Sequence, residues 1–470
     1  MCIYIYIYIY SSIMTDVNIS GLQEPPTNED YRLDINHPEP AGFRPSGRRI
    51  HRVLPYLRGN NERLYDPVVL SLGPYHYGKP EFRHMERIKE NLLGRFVEES
   101  IAKSPSKNRG FFYKAILEKI DEVRDNYERE GVVNEDEVLA EIILRDACFL
   151  ITYMEDIKLI VDTVRDHLGM ATTVFIGHDV RMLENQIPLW VIARLIDLRD
   201  GEHKAGELVC KHLSFVCFGD DQHLTKLPWD VNDPQPLHLL EAGRAALLKR
   251  FDIAAPDDAK RSNCLAKIFK TKKDQEKGVG SAFKKVSLPF RSVTYLKAKG
   301  IRFTPSTSCL RDLKFHSGSC YGTLEVPTGI ITGSTKGFLS NLIALEMSPG
   351  NPPDFTVTSY VNFMKSLVET SKDVKELREK LILFSTMVHD EDVVKVLEGI
   401  PTYGLDDYDS FVDVNRDIDE HCKSTGKTWM AEFSHNYLRS PWTITALIAA
   451  TFVLCLTVVQ TFFTIHPPKK

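Results

Sequence analysis

The chain has 470 residues, of which 43% are hydrophobic and 26% charged, with a formal net charge of −5. At that length one hydrophobic core rarely suffices, so two packed lobes are expected. The mild acidity, with no strongly basic lobe, argues against a nucleic-acid partner, and nine irregularly spaced cysteines argue against a secreted disulfide framework.

The first residues alternate Ile and Tyr from Ile3 to Tyr10. They lack the basic start and small-residue cleavage site of a signal peptide. Because ATA TAT repeats translate as Ile-Tyr repeats, the run reads as a translated dinucleotide repeat, with Met14 as the expected true start. From Thr15 to Gly47 the sequence is rich in Pro, Asp, Glu and Asn without an apolar period, and residues 1–47 are expected to form a disordered arm. The sequon Asn18-Ile19-Ser20 falls inside it.

Residues 48–253 are expected to form a helical lobe. An extended, turn-punctuated segment from Ile50 to Pro74 leads to helical spacing over 82–101, 111–127 and 135–158. Further helices are expected over 178–198, interrupted at Pro188, and over 207–218 and 237–251. Residues 254–290 read as a basic flexible linker, since 260–285 holds nine basic and two acidic residues with little apolar period. A second, α+β lobe is expected over 291–435. Its short strands are predicted at 301–303, 313–315, 322–326 and 330–331, and its helices at 338–346, 357–370, 374–384, 393–397 and 408–423.

Residues 442–465, opened by Trp442 and closed by Ile465, are apolar over about the length of a bilayer core, with Gln460 the strongly polar exception. The expectation is a single-pass C-terminal anchor in the lipid bilayer, with the large domain cytosolic. The fold class expected is therefore mainly α: two packed helical lobes with a small β element in the second, plus one C-terminal transmembrane helix.

Several segments together resemble one family. Ile50-His51-Arg52-Val53, Leu57-Arg58, Tyr65-Asp66-Pro67 and Ser71-Leu72-Gly73-Pro74-Tyr75-His76 come first. Met85-Glu86, Lys89 and Asp146-Ala147-Cys148-Phe149-Leu150 follow, then Asp179 with Met182-Leu183-Glu184-Asn185-Gln186-Ile187-Pro188. Asn341 to Glu346, Ser359-Tyr360-Val361, His421-Cys422, Pro441-Trp442 and Gln460-Thr461 complete the set. As an ordered series these resemble the plant domain-of-unknown-function 247 family, also called the UPF0481 group. Small departures are Leu54 before Pro55, and Tyr77 where a second His is common. The resemblance implies a single-pass membrane protein without an assigned catalytic activity, and recognition as the functional analogy, since some grass members are implicated as male determinants of self-incompatibility.

The chemistry-bearing residues read mainly as structural. Gly73-Pro74-Tyr75-His76-Tyr77-Gly78-Lys79-Pro80 nearly spells a phosphate loop, but Pro80 supplies neither a hydroxyl nor an N–H, so a rigid turn is expected. Asp146 and Cys148 sit in an apolar helix, and Glu184-Asn185-Gln186 among apolar neighbours, where a buried polar network is expected. Arg181 or Arg145 is the expected partner of Glu184, and Pro188 is expected to kink the helix. The alternative is a hydrolase or transferase using a carboxylate cluster of Glu184, Asp179, Asp146 and Glu86. A zinc site at Cys210, His212, Cys217 and His223, and a disulfide between Cys309 and Cys320, near His316, are the weaker options. No metal or cofactor is expected. The expected function is non-enzymatic recognition or scaffolding of an unknown protein partner, contacted through the extended segment or the basic linker.

Overall fold

The computed structural model describes residues 48–59, 61–201, 204–219, 227, 235–249, 291–306, 309–318, 321–349, 354–405, 411–424 and 441–465; within 441–465 it describes the side chains of 445, 446 and 448–461. The expected arm 1–47, the expected linker 254–290, His223 and Cys320 lie outside the described residues.

Two buried apolar clusters organise the molecule. The first is built around the helix Asp136–Glu155, whose sequence is apolar on nearly every side, so that it is surrounded rather than laid on a surface. Acidic Asp136 and Glu137 sit in its first turn, where they complement the helix dipole. The helices Arg83–Lys103, Arg109–Leu117 and Leu189–Asp200 pack against it. Cys148 and Phe149 are fully buried at its centre; burying a phenyl ring of this kind stabilises by about 1.5–3 kcal/mol.

The second cluster runs from Val293 to Cys422 and is completed by Val53, Leu57, Tyr65, Leu183, Leu240 and Leu247 from earlier in the chain. It contains a three-stranded sheet of β1 (Ile301–Pro305), β2 (Lys314–Ser317) and β3 (Gly322–Val326) in the order β1-β3-β2. β1 runs parallel to β3, and β2 antiparallel to it. A separate parallel pair joins β4 (Gly329–Ile331) to β5 (Leu383–Ser385).

Three local expectations are corrected. The helix predicted over 374–384 is Ser371–Glu379, and residues 383–385 form β5. Leu381 adopts φ 58, a left-handed conformation that ends the helix and turns the chain. The helix predicted over 178–198 is two helices, Met170–Asp179 and Leu189–Asp200. Pro188 precedes the second as its N-cap with ψ 127, so it sits in a loop and does not kink a continuous helix. The helix Ile157–Leu168, amphipathic and capped by Asp156, went unpredicted.

The fold-class expectation of a transmembrane helix, and with it the membrane location, is also corrected. The C-terminal helix is Pro441–Ile465. Its described side chains fall within 445–461 and include Thr445, Thr451, Thr457, Gln460 and Thr461. Among the described residues no helix is long and apolar enough to cross a membrane. The architecture is mainly helical with small sheets.

Candidate functional site: a polar clamp on the N-terminal segment

Residues 50–76 form little regular structure, so their backbone groups need partners from elsewhere. Buried side chains supply them. Asp179, wholly buried at the end of its helix, accepts the N–H groups of three consecutive residues: Val68 at 3.0 and 3.1 Å, Val69 at 2.7 Å and Leu70 at 2.8 Å. Asn185 continues the ladder. Its Oδ1 accepts the Leu72 N–H at 2.7 Å, and its Nδ2 donates to the Leu70 carbonyl at 2.8 Å and the Asp179 carbonyl at 2.9 Å. Its side chain thus does the work of a neighbouring strand.

Asp146 takes the next position, accepting the Gly73 N–H at 2.9 Å while the Lys89 ammonium lies 2.5 Å from its other oxygen. Lys89 is itself fully buried and also donates to the Ser71 carbonyl at 2.7 Å. Burial raises the Asp146 carboxyl, to about 6, against the opposing pull of Lys89. Gly73 adopts φ 69, and a Cβ there would lie 2.8 Å from the Gln186 carbonyl oxygen, so the turn demands glycine. Tyr75 closes the segment on itself: its hydroxyl donates to the Ile50 carbonyl at 2.7 Å and accepts the Glu128 N–H at 2.8 Å. Pro74 is buried between them.

Glu184 binds the start of the segment. Its Oε1 accepts the Val53 N–H at 2.6 Å and meets Arg58 Nη2 at 2.5 Å, while its Oε2 lies 3.4 Å from His76 Nε2. Burial alone would raise this carboxyl, but the hydrogen bonds from His76 and Arg58, the Arg58 charge and the Val53 N–H outweigh it and hold it below its ordinary value. On the other side of the ring, His76 Nδ1 lies 3.1 Å from the Lys79 ammonium. Gln186 works on its own loop, with Nε2 donating to the Val180 and Met182 carbonyls at 2.8 and 2.7 Å and Oε1 accepting the Leu240 N–H at 3.1 Å.

Of the four carboxylates considered for a catalytic cluster, Asp146 and Glu86 meet around Lys89 and Arg145, with Glu86 2.5 Å from Lys89 and 2.8 Å from Arg145. Asp179 and Glu184 each serve separate backbone groups. The expected partners of Glu184 are corrected: Arg145 pairs with Glu86, Arg181 reaches the Gly177 carbonyl and Ser334, and Arg58 is the cation on Glu184. Arg58 and Lys89 were legible as residues of the resemblance, but not as the ions that complete the clamp. Asn341 plays a similar part: Oδ1 accepts the Leu183 N–H at 2.9 Å, and Nδ2 donates to the Leu64 carbonyl at 2.7 Å, joining both stretches to the second cluster.

Asp66, His76 and Glu184 bring ligand atoms within 4.8 Å of one another, the spacing of a metal site. The Arg58 guanidinium already bridges the two acids, 2.5 Å from Asp66 and 2.5 Å from Glu184, so a cation stands where a metal ion would be held. Cys210 and His212 are core residues, and the Cys309 thiol donates to the Leu248 carbonyl at 3.3 Å. Burial pushes Cys148 far above the usual thiol range, as befits a core position.

These contacts define a mainly helical protein whose N-terminal segment is bound to both apolar clusters through buried side chains. The chain belongs to the DUF247 family, plant proteins of unknown function, whose defining pattern matches residues 50–456. It is similar to the UPF0481 protein At3g47200 of Arabidopsis thaliana, 26% identical over 426 residues that cover 87% of this chain and 85% of the relative. It is also similar to the putative UPF0481 protein At3g02645 of the same plant, 23% identical over 494 residues covering 88% and 89% of the two chains. No solved structure matches it.

Proposed function

We propose that this protein is a non-enzymatic recognition or scaffold protein whose partner is another protein. The observation that carries the reading is the fate of the carboxylates. Asp146, Asp179 and Glu184, the groups best suited to acid–base work, are buried and taken up by backbone N–H groups and by Lys89 and Arg58. A general base needs a free oxygen facing a substrate, and these oxygens face the chain itself. Apolar surface for a protein partner is present. Ile330 and Phe384 stand opposite each other in the β4–β5 pair and are 44% and 46% exposed.

Proximity labelling from the intact protein in plant cells tests this reading, with Phe384→Asp as the paired variant. The expected result is a defined set of labelled proteins, part of which disappears in the variant at equal protein abundance. Identical labelling by both forms would contradict a role for that surface. A hydrolase or transferase activity abolished by Glu184→Gln in a folded protein would replace the reading with the carboxylate-enzyme alternative.

A further inference from the structure

A cavity of about 250 Å³ lies where the two apolar clusters meet. One wall is the end of the helix Lys204–Phe218, where Cys217 and Phe218 pack against both clusters. The other is formed by β4, β5 and the helices Thr335–Glu346 and Thr356–Leu367, which contribute Phe338, Met364 and Leu383. The volume lies just under the ~300 Å³ at which small-molecule sites usually begin, so the occupant is small.

The lining is apolar with one polar corner, made of Arg181, Thr332, Ser334 and Thr335. Arg181 Nε donates to the Gly177 carbonyl at 2.6 Å, and Nη2 donates to Ser334 Oγ at 3.0 Å. The guanidinium carbon lies 5.4 Å from the centroid of the Phe338 ring. Four other partly buried arginines face a carboxylate: Arg58 meets Glu184, Arg145 meets Glu86, Arg199 meets Glu155 and Arg244 meets Glu346. Among the described residues no carboxylate pairs with Arg181. Thr332 Oγ1 lies 3.0 Å from Ser334 Oγ and 3.3 Å from Thr335 Oγ1, so further hydroxyls stand beside the cation.

We propose that this cavity binds a small apolar carboxylic acid, its carboxylate on Arg181 and Ser334 and its hydrocarbon body against Phe218, Phe338 and Met364. A partly buried cation bordering an apolar wall is costly without a counter-charge, and a carboxylate matches the guanidinium fork. Inorganic phosphate or sulfate would satisfy the charge but leave the apolar wall unfilled. A neutral hydrocarbon would fill the wall but leave the charge. This goes beyond the recognition reading and stands without it.

Isothermal titration calorimetry of the full chain with octanoate and octan-1-ol tests the proposal. The wild type should bind one octanoate, and bind octan-1-ol at least about tenfold more weakly, since one charge-assisted contact separates the two. Arg181→Gln should lose that preference by weakening octanoate while leaving octan-1-ol unchanged, and Arg181→Lys should keep part of it. Octanoate binding no tighter than octan-1-ol in the wild type would overturn the proposal, and that comparison requires no variant to fold. Undiminished octanoate binding by Arg181→Gln at an unchanged melting midpoint would also overturn it.

Discussion

The Arg58 guanidinium meets the Glu184 carboxylate at 2.5 Å, tying the short helix Pro55–Arg58 to the loop that precedes Pro188. Glu184 is 3% exposed and also accepts the Val53 N–H, so the pair closes over a backbone that has no strand beside it. Asp179, Asn185 and Asp146 repeat the arrangement further along the same segment. The stability of the N-terminal segment therefore rests on a few acceptors, and each can be removed singly.

Asp179→Ala leaves the N–H groups of Val68, Val69 and Leu70 without their acceptor. Stranding a buried donor costs about 1–3 kcal/mol, so the expected loss is at least about 3 kcal/mol in urea unfolding. Asp179→Asn keeps one acceptor oxygen and should fall between the two. A loss below about 1 kcal/mol for the alanine variant would contradict the clamp.

Gly73→Ala places a Cβ 2.8 Å from the Gln186 carbonyl oxygen at φ 69. Gly78→Ala meets only the φ of 82, with open space around it. Left-handed strain costs of order 1–3 kcal/mol, and Gly73 adds a clash with backbone that cannot move aside. The melting midpoint of Gly73→Ala should therefore fall further than that of Gly78→Ala. Equal midpoints would contradict the close approach.

Acid should destabilise the fold from about pH 6.5 downwards. Burial pushes His238 down to about 3, helped by the charges of Arg48 and His51. Burial pushes His212 down to about 4, helped by Arg181. A histidine with a depressed folded-state pKa contributes stability that is complete above its unfolded value near 6.5 and is lost as pH falls towards the folded value. Asp146, raised to about 6, acts in the opposite sense over the interval from about 6 to its unfolded value of 3.8. Two protons taken up on unfolding against one released leave a net loss of stability, at most about 1.4 kcal/mol per pH unit for each uncompensated proton. His238 Nδ1 caps the helix Leu239–Leu248 by accepting the Glu241 N–H, so His238→Asn can keep a cap without the titration. The variant should show a shallower dependence of unfolding free energy between pH 6.5 and 4.5 than the wild type. An unchanged slope would remove His238 from the account.

The polar triplet 184–186 was legible as buried because Met182, Leu183, Ile187 and Leu189 surround it, and all are buried in the structure. Its partners were not legible: Arg58 and Val53 arrive from a distant part of the chain, and local spacing carries no sign of that contact. The strands β1 to β4 stood out by their Gly, Ser and Pro boundaries. β5 did not, because Leu383, Phe384 and Ser385 continue the apolar spacing of the preceding helix, and the break at Leu381 is a backbone conformation rather than a breaker residue. The helices Ile157–Leu168 and Met170–Asp179 were hidden or misplaced because Gly169, with φ 86, joins them with almost no loop. The reading of 442–465 as a bilayer span rested on composition alone, and among the described residues no helix is long and apolar enough to cross a membrane.

The most direct test of the central claim, that the carboxylates hold the fold together, is thermal unfolding of the purified protein beside its Glu184→Ala variant. Removing Glu184 leaves Arg58 and the Val53 N–H without their buried acceptor, and breaking a buried pair costs about 3–5 kcal/mol. Against a total stability of roughly 5–15 kcal/mol, that loss should lower the midpoint by several degrees. A midpoint unchanged or raised in Glu184→Ala would contradict the structural role, and would mark Glu184 as a group kept for activity at the expense of stability.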